Sequence, residues 1–86
     1  SEIIKVPNGF SKYWSDNYLV TSLNNRSIYR VKFDEEFSKI LFSERIVVGE
    51  RIRDIKFMKN LNSFVLALEE TGSLGILQSP QSKKIN

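Results

Sequence analysis

Seven short β-type runs, each closed by turn residues, leave this chain few folds to choose from. The runs lie at 2–6 (EIIKV), 18–23 (YLVTSL), 28–33 (IYRVKF), 40–48 (ILFSERIVV), 52–58 (IRDIKFM), 64–69 (FVLALE) and 73–77 (SLGIL). Pro7-Asn8-Gly9, Asn24-Asn25-Arg26-Ser27, Asp34-Glu35-Glu36, Gly49-Glu50 and Thr71-Gly72 punctuate them, and such residues favour tight turns. The run 28–33 alternates cleanly, with Tyr29, Val31 and Phe33 on one face and Arg30 and Lys32 on the other. Residues 35–39 have room for one helical turn, too short to change the class. The expectation is an all-β antiparallel meander.

The strands also group, four and then three, with the second group repeating the first three members. Four-stranded antiparallel units repeated along a chain are the signature of a β-propeller. On that reading one blade covers about 2–48, most of the next covers about 51–77, and 78–86 is a polar tail. A propeller needs at least about four blades to close. One and three-quarter blades therefore point to part of a longer protein.

Composition narrows the chemistry. A hydrophobic content of 41% suits a packed core in one small domain. With no Cys, disulfides and thiolate metal sites are excluded, and with no His the commonest general base and transition-metal ligand are missing. The net charge of +3 is scattered, without a basic stripe suited to a nucleic-acid duplex. No apolar run reaches the length of a membrane-spanning helix. Glu35-Glu36 and Glu69-Glu70 are adjacent pairs, which point to opposite faces of a strand and form no hydrolytic dyad. Both read as turn charges.

The stretch GERIRDIKF, 49–57, is unusual. Strict alternation puts Arg51 and Arg53 on the same face as Ile55 and Phe57, and leaves Ile52, Asp54 and Lys56 on the other. Two guanidinium groups continuing an apolar face either emerge into water at the strand end or meet a buried anion. Asp54 reads as structural, pairing with a neighbouring strand or capping a turn. The six Phe residues, Tyr18 and Tyr29 read as core between sheets.

The ordered series DNYLVTSLNNRSIYRVKFD, ERIVVGERIRDIKF and SFVLALEETGSLGIL resembles the C-terminal part of the soluble aldose dehydrogenases, the glucose/sorbosone dehydrogenase family, over about residues 1–77. The resemblance implies a six-bladed propeller that binds pyrroloquinoline quinone (PQQ) on its top face, with the paired arginines of an R-x-R-D run reaching the cofactor. Carried over, these are Arg51 and Arg53. It further implies oxidation of a sugar or related alcohol, with PQQ as hydride acceptor, an external electron acceptor, and export to the periplasm. A lysine that touches the cofactor in many relatives is replaced here by Asn24, which donates a hydrogen bond but carries no charge. The family's catalytic base is a histidine and its cofactor is held by calcium. That base, the calcium ligands and the rest of the propeller are expected outside this segment, which cannot catalyse alone.

A rival reading rests on Tyr13-Trp14-Ser15-Asp16, which resembles the YWTD repeat of another six-bladed propeller, a non-enzymatic module that binds protein or glycan partners. The motif occurs once. Trp14 is more simply an aromatic packing the loop before the second strand.

Overall fold

The computed structural model describes residues 2–22, 24 and 26–79. Seven strands form in sequence order: β1 (Ile3–Lys5), β2 (Tyr18–Ser22), β3 (Ser27–Phe33), β4 (Ile40–Val47), β5 (Ile52–Met58), β6 (Ser63–Leu68) and β7 (Leu74–Gln78). The all-β expectation holds, and each strand starts within one residue of the run that foretold it. Leu23 and the tail from 80 onward lie outside the described residues.

Strands β1 to β4 make one antiparallel sheet in sequence order and β5 to β7 make a second. The sheets meet face to face around Leu19 and Ile28 from the first and Ile52, Ile55, Phe64 and Leu66 from the second. Neither sheet fills the space between them alone. The loop joining β1 to β2 supplies Val6, Phe10 and Trp14, all buried. Phe10 is the keystone, with ring centroids 5.4 Å from Trp14, 5.1 Å from Phe64 and 6.1 Å from Phe57. Ser11 makes this loop fold inward: its hydroxyl accepts from the Tyr13 N–H and caps the 3₁₀ turn Lys12–Trp14. Burying one such ring contributes about 2–3 kcal/mol.

Three sequence expectations need correction. Residues 35–39 form no helical turn, because Asp34 ties the segment into a compact loop through its main chain and its carboxylate. Five of the eight aromatic residues read as core lie outside it: Phe37 is 61% exposed and Phe42 is 44% exposed, and the half-buried Phe33, Tyr18 and Tyr29 neither belong to the buried cluster nor pack against it. The third correction concerns β5. Ile52 pairs with Leu68 and Asp54 with Ala67, so Arg53 is an extra residue with no partner in the ladder. Ladder partners share a face, and Leu66 and Leu68 lie two apart on regular β6. Their partners Ile55 and Ile52 therefore share the core face although they lie three apart, and both are buried. A β-bulge, not strict alternation, sets the faces of this strand.

Candidate functional site

In an antiparallel meander, alternate connections fall at the same end. One end of this molecule carries the β2–β3 turn with Asn24 and Arg26, the β4–β5 connection with Gly49, Glu50 and Arg51, and the β6–β7 turn with Glu69 to Thr71. Hydrogen bonds stitch these turns together. The Arg26 carbonyl accepts from the N–H of Val48 (3.0 Å) and of Gly49 (3.1 Å), and the Arg51 carbonyl accepts from Glu69 N–H at 3.0 Å. Gly49 has φ +93°, a left-handed backbone that glycine adopts without strain, and this lets the chain leave the first sheet for the second. The Glu50 carboxylate accepts from the Thr71 N–H and hydroxyl at 2.9 to 3.1 Å.

This is where the structure places the residues singled out in the sequence. Asn24 is exposed in the β2–β3 turn, Arg51 is exposed just before β5, and Arg53 is exposed at the bulge. Asn24 and Arg51 are thus brought to one end, with Arg53 two residues into the strand that rises from it. The arginines do not share the core face with Ile55 and Phe57. The strand end and the bulge turn both toward water, so the first of the two sequence readings, emergence at a strand end, describes their surroundings.

The charges at this end are unequal in their freedom. Arg26 Nε and Nη2 both reach Glu70 Oε2, at 2.8 and 2.6 Å, across the two turns. The guanidinium groups of Arg51 and Arg53 make no ion pair among the described residues. Asp54 bonds locally, its Oδ1 accepting from the Ile55 N–H at 2.9 Å, and forms no cross-strand ion pair among the described residues. Two free guanidinium forks, with the Asn24 amide in a turn at the same end, are donor types that suit a ligand bearing several carboxylates. Among the described residues no group of three or more His, Cys, Asp or Glu side chains stands together to hold a metal.

Sequence reasoning missed the arginine that matters most inside the molecule. Arg30 lies on β3 with its guanidinium carbon 5.0 Å from the Trp14 ring centroid and 4.6 Å from that of Phe42. Its Nη1 donates to Asn17 Oδ1 at 2.6 Å and its Nε to Glu44 Oε1 at 2.8 Å. In the sequence it is one polar residue of an alternating strand, and nothing local marks it as a half-buried node.

Comparison with protein-family models, with curated proteins and with solved structures finds no match to this chain.

Proposed function

We propose that this chain is part of a PQQ-dependent aldose-type dehydrogenase folded as a six-bladed β-propeller, and that the Asn24, Arg51 and Arg53 end is one wall of the cofactor site. The observation that carries the proposal is the contrast at that end, where Arg26 is committed to Glu70 while Arg51 and Arg53 are exposed and unpaired among the described residues. Two consecutive meanders packed face to face support the propeller reading. PQQ, when bound, supplies the hydride acceptor for oxidation of a sugar or similar alcohol. The part of this chain's residues is binding: Arg51 and Arg53 clamp carboxylates, and Asn24 donates one hydrogen bond. The histidine base, the calcium ligands and the docking surface for an external electron acceptor come from outside this segment, and the parent is exported to the periplasm.

The test is reconstitution of the full-length protein with PQQ and calcium, followed by cofactor affinity and dye reduction with aldoses. The double variant Arg51→Ala/Arg53→Ala is expected to lose at least about tenfold in PQQ affinity for each charge-assisted contact removed. Unchanged affinity in the double variant would sink the clamp assignment.

A second reading has one observation in its favour. Trp14 of the Tyr13–Asp16 stretch is buried in the core between the sheets, as a structural YWTD-like repeat would require. On that reading the protein is a non-enzymatic propeller binding protein or glycan partners. Reduction of dye by the reconstituted protein separates the two.

A further inference from the structure

At the end of the first sheet away from Asn24 and Arg51, the 6–17 loop and the 34–39 loop border a concavity of about 310 Å³. That is near the lower end for small-molecule sites, about 300 Å³. Its wall is a trio of aromatic rings. Tyr18 and Phe33 lie 5.5 Å apart edge to face, and Phe37 lies 5.9 Å from Tyr18 and 5.5 Å from Phe33.

Phe37 is the informative member. Its φ is +56°, a left-handed backbone that a bulky side chain adopts only with strain, and the residue is 61% exposed. Burial does not offset that strain, so the surrounding loop must impose it. Asp34 does so. Its carboxylate accepts from the Ser38 hydroxyl (2.7 Å), the Ser38 N–H (2.7 Å) and the Lys39 N–H (3.2 Å), and its carbonyl accepts from the Phe37 N–H. These bonds, the Ser38 hydroxyl foremost, hold the Asp34 carboxyl below its ordinary value, so the anchor is ionised at neutral pH. The loop is built to hold an apolar ring at the lip of a pocket.

The charges around the pocket define what fits. Lys5 and Lys32 line it, as do Asp16 and Glu35, and none of the four is in an ion pair among the described residues. Asp34 is consumed by its own loop. A simple cation would meet two ammonium groups and a simple anion two carboxylates. A neutral molecule with one apolar face and a rim of hydroxyls meets neither penalty. Its hydroxyls donate to Asp16 and Glu35 and accept from Lys5 and Lys32, while its C–H face lies against the electron-rich face of a ring. We propose that this concavity binds a saccharide, with a sugar ring packed on Phe37.

A second, shallower depression shares Asp16 and Lys32 with the first and carries the exposed rings of Tyr13 and Phe42. The Arg30 guanidinium stands over the Phe42 ring and the Lys12 ammonium over Tyr13, so this depression offers a second sugar unit hydrogen-bond donors beside its rings, and a disaccharide reaches both. This site is at the opposite end from Arg51, and neither proposal depends on the other.

The experiment is saturation-transfer NMR on the full-length protein with maltose, cellobiose and N,N′-diacetylchitobiose as probes, and with choline and free phenylalanine as charged controls. Transfer to at least one disaccharide is expected, with weaker binding of the matching monosaccharide. Phe37→Ala is expected to cut disaccharide affinity at least about tenfold, the loss typical of removing an aromatic stacking platform. Phe37→Gly relieves the left-handed strain and serves as the folded control with the ring absent; the same loss is expected there. No transfer to any of the three sugars overturns the proposal. So does a sugar bound equally well by both Phe37 variants, or binding of choline or phenylalanine in place of sugar.

Discussion

Arg30 shows how much a single residue carries in a chain this short. Its guanidinium is flat, so it slides between the Trp14 and Phe42 rings, and its fork reaches Asn17 on one side and Glu44 on the other. Asn17 is itself buried. Its backbone carbonyl accepts from Val6 N–H at 2.9 Å and its side-chain N–H from Nδ2 reaches the Ser15 carbonyl at 3.0 Å. Arg30 thus pins the β1–β2 loop to the sheet, and with it Phe10 and Trp14. An ammonium group cannot stack and fork at once. Arg30→Ala is expected to cost about 2–3 kcal/mol, from two lost charge-assisted bonds and the lost ring contacts, discounted because Glu44 is half exposed. Arg30→Lys is expected to restore less than half of that. Urea unfolding of the two variants decides it, and equal stability of lysine and arginine here would show that only charge matters.

At the scale of the strand, the bulge in β5 makes a sharper test of register than any point substitution. Ile52 pairs with Leu68 and Asp54 with Ala67, one step apart on β6 but two steps apart on β5. Deleting Arg53 makes those two positions consecutive on both strands. The ladder becomes regular, Ile52 and Ile55 stay on the core face, and only one guanidinium is lost. The deletion is expected to change stability by no more than about 1 kcal/mol, whereas Ile52→Ala should cost about 2–4 kcal/mol by leaving a cavity in the core. Thermal unfolding of the two proteins side by side checks this; a deletion that unfolds the chain would show that the bulge itself is required. The same strand marks the limit of what the sequence discloses. All seven strands are legible because turn residues flank them, and the grouping into four and three follows from the second set repeating the first three members of the first. The face of each residue in β5 was not, because a bulge adds a residue without any local signal that alternation cannot absorb. Nor did the sequence disclose the pocket at Phe37. Its rings come from β2, β3 and the loop after it, and the strain that fixes Phe37 appears only once Asp34 has closed that loop.

Seen whole, the molecule is a slab of 37 × 37 × 23 Å, two sheet layers with their shared core between them, and its outer faces are unlike those of an ordinary small domain. On the second sheet, Met58, Leu74 and Ile76 stand at 40%, 70% and 55% exposure around the half-buried Val65 and Ala67. On the first, Ile3 is 62% exposed and Val47 70%. Alternate residues of an antiparallel sheet can face water at no cost when they are polar. Here both outer faces also carry exposed apolar side chains among polar ones such as Lys5, Arg45 and Lys56, and exposed apolar surface is where proteins associate. In a propeller each such face lies against the next blade, so the proposed architecture accounts for both faces at once. Isolated from any neighbour, residues 1–86 should therefore self-associate as concentration rises. Leu74→Thr/Ile76→Thr places at both positions a β-branched residue, which strands favour, while adding a hydroxyl to the outer face. That variant is expected to shift sedimentation toward the monomer while moving the unfolding midpoint little, since neither side chain reaches the core. Association unchanged by the pair would assign the contact to the face bearing Ile3 and Val47, and the matching substitutions there would then be expected to abolish it. A chain that stays monomeric throughout would mean that these apolar faces are tolerated in water, which removes their support for the propeller.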